Sequence, residues 1–135
     1  MKTRVVSVLL AVAASLLMAG PALATEWVHC ASPAGEASFD YLSGDGLGVL
    51  AVVGLNISVG EQVWASDVAY GPGDPVSIGQ QFEDAETVRI DAMDADFAKL
   101  AELRLFKASE GDSFIHGGTL RILGHGAWPV ACEGP

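Results

Sequence analysis

Cys30 and Cys132 are the only cysteines in the chain, and nearly all of its foldable sequence lies between them. Joined to each other, they admit only folds whose first and last elements are neighbours. The chain-entropy estimate for closing a loop of roughly 100 residues is about 4 to 5 kcal/mol. Free thiols or an intermolecular bridge are the alternatives. Positions near both ends disfavour them, because an N-terminal and a C-terminal strand often lie side by side.

The N-terminus bears on whether such a bond can persist. Lys2 and Arg4 precede the apolar run Val5 to Met18, then Gly20-Pro21 and Ala22-Leu23-Ala24. That order is the pattern of a cleavable secretory signal, with the cut expected after Ala24. The apolar run has 14 residues, short of the roughly 20 a membrane-spanning helix needs. Cys30 follows Trp-Val-His, which is not a lipoprotein attachment context. A periplasmic or secreted protein without a stable membrane anchor is therefore expected, in a compartment that permits disulfides. Residues 25–135 then form a single β-rich domain.

All 17 acidic residues lie beyond Ala24 while only five of the seven basic ones do, so the mature net charge is −12. A field of that sign makes nucleic acid a poor partner and favours cations or basic proteins.

Period two is clearest from Leu47 to Val59, where every odd position is apolar: Leu47, Val49, Ala51, Val53, Leu55, Ile57 and Val59. The pattern predicts a strand. Even positions change from Leu50 and Val52 to Gly54, Asn56 and Ser58, which predicts burial on both faces in the first half and a bulge or bend at Gly54. Shorter alternations place Val76, Ile78 and Phe82 in one phase, and likewise Val88, Ile90 and Ala92, Leu103 and Leu105, and Leu120 and Ile122. Turn signals separate them at Ser43–Gly46, Gly60-Glu61, Gly71–Pro75, Glu110–Asp112 and Gly117-Gly118. Asp94 to Leu105 admits a helix, but Arg104 interrupts its apolar stripe, so a turn followed by a strand is preferred. The fold class expected is all-β, a small antiparallel β-sandwich or barrel-like domain of about eight strands with one terminal disulfide. Strand parity puts Val28 and Cys30 on one face, opposite Trp27 and His29, and gives Trp128, Val130 and Cys132 a common face. Pro129 suggests an edge position for the last strand.

Candidate chemistry is sparse. His29, His116 and His125 offer imidazoles for zinc or copper, but His116 and His125 differ in strand parity and sit beside glycines, so ordinary surface histidines are expected. Asp91, Asp94 and Asp96, with Asp112, are weak candidates for calcium; the twelve-residue calcium loop is absent. No Gly-x-Ser-x-Gly elbow exists, and both cysteines are committed to the bridge. Gly44 to Gly48 precedes a strand instead of the helix a phosphate loop requires, and Asn56-Ile57-Ser58 matches a glycosylation sequon within a strand. The loop Tyr70-Gly71-Pro72-Gly73-Asp74-Pro75 is stiffened by two prolines. Trp64, Asp67, Tyr70 and Asp74 there are possible contacts for a basic protein or a sugar.

These features point to a non-enzymatic binding protein for a cationic or protein partner, such as a basic envelope or extracellular protein. No cofactor is expected. A periplasmic calcium- or zinc-binding protein is the alternative, and a small hydrolase ranks below it. On Cys30, Cys132 and Tyr41-Leu42-Ser43-Gly44, the chain resembles the bacterial periplasmic lysozyme inhibitors. That resemblance implies a disulfide-bonded β-barrel aimed at a basic enzyme. The serine-containing loop of that family is not recognisable here.

Overall fold

A computed structural model describes residues 25–46 and 49–134; the side chains of residues 45, 46 and 49 are not described. The expected signal, residues 1–24, and Leu47 of the long alternation lie outside the described residues.

Ten strands follow in chain order: β1 (Thr25–Ala31), β2 (Ala37–Gly46), β3 (Val49–Val59), β4 (Gln62–Ala65), β5 (Asp74–Pro75), β6 (Ser77–Glu83), β7 (Thr87–Met93), β8 (Lys99–Glu110), β9 (Ser113–Ile122) and β10 (Gly126–Glu133). They form one sheet in the order β5-β4-β3-β2-β1-β10-β9-β8-β7-β6, nearly closed into a barrel. Every ladder is antiparallel except the two-residue β4–β5 pair. The fold is thus the barrel-like form of the expected all-β class, with two more strands than expected.

Strand parity at the termini holds. Cys30 is opposite Cys132 in the β1–β10 ladder, and the two are disulfide-bonded across 102 residues. Phe39, Leu55, Ile57, Ile90, Leu103, Leu105, Leu120 and Ile122 fill the barrel interior. Asp94 to Ala98 is a turn leading into β8, as preferred over the helix. The Asp94 carboxylate accepts bonds from the backbone N–H groups of Asp96 and Ala98 and holds that turn.

Several expectations are corrected. The register shifts where Leu42 pairs with Gly54 but Ser43 pairs with Val52, leaving Val53 as the extra residue of a bulge. Val52 is buried and Val53 is 48% exposed. The first half of β3 is therefore not buried on both faces; the bulge transfers burial from odd to even positions. A second shift between Ile78 and Gln81 turns Phe82 outward, 51% exposed, out of phase with Ile78. Ser43–Gly46 and Gly117-Gly118 lie within β2 and β9 instead of forming turns. A Cβ on Gly118 would stand 1.9 Å from the Arg104 carbonyl oxygen, so glycine there lets β9 curl tightly against β8. β10 is an interior strand, not an edge. Its ladder with β1 involves only Ala131, Cys132 and Glu133, so Pro129 sits where β10 is paired on the β9 side alone.

Two measurements test these points. Replacing both cysteines by alanine should lower unfolding free energy by up to about 4 to 5 kcal/mol in denaturant titrations, the loop-entropy contribution. Gly118→Ala should cost about 2–3 kcal/mol in the same assay, because the obstructing atom belongs to the backbone; an unchanged midpoint would contradict the close approach.

Candidate functional site

The inward phase of each strand continues past the apolar core toward one end of the barrel, and there it turns polar. Tyr41 and Ser43 continue Phe39 on β2. Glu83 continues Gln81 on β6, Lys107 continues Leu105 on β8, and His116 continues Leu120 on β9. Together with Val28, Leu50 and Phe114 they line a chamber of about 300 Å³. Barrel mouths of this kind are common ligand sites.

Lys107 and His116 are cross-strand partners. The Lys107 ammonium donates to Glu83 at 2.7 Å, so the pair is internally neutralised. Burial pushes the Tyr41 phenol above its ordinary range, and the Glu83 carboxylate adds to that. His116 is 7% exposed, and among the described residues its Nε2 is buried without a hydrogen-bond partner. Burial lowers its pKa, Lys107 lowers it further, and Glu83 opposes both. The Phe114 ring lies 6.1 Å from the imidazole.

The rim is acidic and aromatic. Beyond Phe106 the strand of β8 pairs only with β9, apart from a bond from the Lys107 N–H to the Glu86 carbonyl, and β9 pairs with β10 only from Gly117 onward. The hairpin tip therefore projects past its neighbours and carries Phe106, Phe114 and Ile115, each more than half exposed. Glu26, Asp84, Glu86, Glu110 and Asp112 occupy strand ends and turns at this same end.

The residues singled out from the sequence lie elsewhere. Trp64 is buried in the core with its ring edge-on to His125 at 5.3 Å, so it offers no contact surface. Asp67 caps a short 3-10 turn, Val68–Tyr70, by accepting from the Ala69 N–H. Tyr70 is half-buried, edge-on to Trp27 and over Gly54, where a Cβ would come within 2.8 Å of its ring. Asp74 is exposed and accepts from Gln62. Tyr70 thus packs against the outer wall, while Asp67 and Asp74 remain exposed.

The aspartates do not converge. Asp91 is buried between Arg104 at 2.7 Å and Lys99 at 3.1 Å. Burial alone would raise its pKa, but those two cations hold it below the ordinary carboxylate value. Asp94 is occupied by its turn, and Asp96 is exposed. Among the described residues no three His, Cys, Asp or Glu side chains group to hold a metal. The histidines are separate as well: His29 bonds Asp40 on the outer wall, and His125 sits at the opposite end from His116. His116 is buried within β9, which corrects its expected place as a surface residue beside a loop.

Sequence reasoning missed Lys107, Glu83 and the buried environment of His116. Extending the Leu103–Leu105 and Leu120–Ile122 alternations outward by parity finds Lys107 and His116; the bulge before Gln81 conceals Glu83 from the same rule.

Comparison with protein-family models, curated proteins and solved structures finds no match for this chain. The likeness to lysozyme inhibitors rests on Cys30, Cys132 and residues 41–44 alone.

A buried imidazole with a lowered pKa gives a signed prediction. The unfolded chain takes up a proton near its ordinary value of 6.5 while folded His116 resists it, so stability falls as pH drops through and below that value. Denaturant titrations between pH 7 and 5.5 should show this loss, and His116→Phe should flatten it. An equal slope in the variant would remove His116 as the cause.

Proposed function

We propose that this chain is a non-enzymatic binding protein that acts outside the cytoplasm and docks a basic protein partner on the open end of its barrel. The observation carrying this reading is the coincidence of three properties at one end. The projecting β8–β9 tip exposes Phe106, Phe114 and Ile115. Acidic side chains surround that tip at Glu26, Asp84, Glu86, Glu110 and Asp112. Among the described residues, the one cation lining the chamber, Lys107, is already paired with Glu83. Exposed aromatic anchors give contact energy, and like-signed charge around them steers an oppositely charged partner and selects against acidic ones. The disulfide accords with an oxidising compartment.

One observation favours a basic enzyme as the partner. Tyr41 and Ser43, from the segment that resembles the lysozyme inhibitors, both line the chamber at this end. Inhibition of lysozyme by the oxidised protein is the direct assay of that narrower reading.

The general reading is tested by capture from an envelope fraction at about 20 and about 300 mM salt, with the bound proteins identified. Steering by exposed charge is screened within about 10 Å at 0.1 M salt, so basic proteins should bind at the lower salt and be released at the higher. Combining Phe106→Ser with Ile115→Ser, both on exposed positions, should reduce that capture at least tenfold. Capture that ignores salt and these substitutions, or that enriches acidic proteins, sinks the proposal.

A further inference from the structure

The positive charge of this chain is gathered in one place. Five basic residues lie beyond Ala24, and four of them, Arg89, Lys99, Arg104 and Arg121, stand on β7, β8 and β9. Two carboxylates answer three of these cations on the outer wall. Asp91 pairs with Arg104 and Lys99, and Glu102 pairs with Lys99 and Arg121. The fifth cation, Lys107, is bonded to Glu83. Arg89 is thus the one basic side chain without a carboxylate partner among the described residues. It is exposed, and its partner in the β7–β8 ladder is Arg104, another cation. Like charges directly opposite each other weaken a sheet, so this wall holds an uncompensated positive charge in a strongly acidic molecule.

Arg89 lines an open groove of about 610 Å³ on that wall, a volume typical of small-molecule sites. The bulge between Ile78 and Gln81 turns Phe82 outward, 51% exposed, directly opposite Arg89 in the β6–β7 ladder. Bulges commonly re-aim a side chain in this way beside a site. Phe82, Arg89 and Arg104 therefore follow one another along one register row of three strands, and all three line the groove. Two carboxylates line it as well, and neither pairs with Arg89. Asp91 is held by Arg104 and Lys99. Asp84 accepts from the N–H groups of Glu86 and Thr87 and from the Thr87 hydroxyl.

A guanidinium is a planar fork that matches a carboxylate with two parallel hydrogen bonds. An exposed aromatic ring beside it offers a face or edge to a second ring. Neighbouring strands lie about 4.8 Å apart, so a carboxylate attached to a ring can meet Arg89 while the ring lies on Phe82.

We propose that this outer-wall groove binds a small aromatic carboxylate, with the carboxylate held by Arg89 and the ring against Phe82. Phe106, Phe114 and Ile115 are not part of its lining, so the site stands or falls independently of protein docking at the rim.

Benzoate, benzamide and acetate are the probes: benzamide keeps the ring without the charge, and acetate keeps the charge without the ring. Each is titrated into the oxidised protein at low salt while the backbone amide resonances of Gln80, Phe82 and Arg89 are followed by NMR. Benzoate should shift them saturably and bind roughly tenfold or more tightly than either other probe. Arg89→Gln should bring benzoate down to the affinity of benzamide, and Arg89→Lys, which keeps the charge but loses the fork, should restore only part of the difference. Phe82→Ser should bring benzoate down to the affinity of acetate. Both substitutions fall on exposed positions; should either variant not fold, the wild-type ratios decide alone. Equal affinities of benzoate and benzamide would overturn the proposal. So would saturable shifts confined to residues outside the groove, or wild-type affinity for benzoate in Arg89→Gln. The absence of any saturable binding would overturn it too, leaving Arg89 as a solvated surface charge.

Discussion

Among the described residues, the one ladder that joins the two halves of this sheet is three residue pairs long. Strands β1 to β5 are laid down in chain order on one side, β6 to β10 on the other, and the halves join through His29–Glu133, Cys30–Cys132 and Ala31–Ala131. The other antiparallel ladders connect chain neighbours, so their closure costs are those of short loops. The β1–β10 ladder alone bears the entropy of gathering about a hundred residues, a cost that grows with the logarithm of loop length. Three pairs are little to set against it. The disulfide sits in the middle pair and removes most of that cost from the unfolded side.

The far seam is weaker still. β3 and β6 approach each other without a shared ladder, and the Gln81 side-chain carbonyl accepts the Val52 N–H at 2.7 Å where a backbone partner would otherwise stand. The bulges that expel Val53 and Phe82 lie on these two strands. One irregularity thereby does two things: it bends the sheet toward closure and points Gln81 and Glu83 inward, supplying the seam bond and one side of the chamber. The polar layer at the open end follows from the way the sheet is curled.

What was legible beforehand is what parity alone determines. Cys30 and Cys132 on a common face, the inward Val88–Ile90–Ala92 and Leu103–Leu105 runs, and a turn at Asp94 need only period two and turn chemistry, which act over a few residues. Gly54 did mark the bulge in β3, but the phase change it imposes on Val53 was not carried through; Phe82 was misplaced because the bulge in β6 has no obligatory sequence mark. Gly117-Gly118 resembles a turn, yet its glycines serve close approach between strands, a fact held by Arg104 on another strand. The chamber was the least legible feature: Tyr41, Glu83, Lys107 and His116 come from four strands, and only the curvature of the barrel brings them together. In the loop from Trp64 to Asp74 the fold uses the two aromatic rings, Trp64 in the core and Tyr70 against Trp27, and leaves Asp67 and Asp74 exposed.

A sheet that stops short of closing keeps free backbone, and free backbone invites a second chain to add a strand. One margin ends in β5, just Asp74 and Pro75; proline has no N–H to offer and the carboxylate repels its own kind. The other margin, β6, is broken by the bulge between Ile78 and Gln81. The overhang of β10 beyond β1 carries Pro129. These three stretches are thus too short, kinked or missing a donor, which leaves a second chain little to add to at those places.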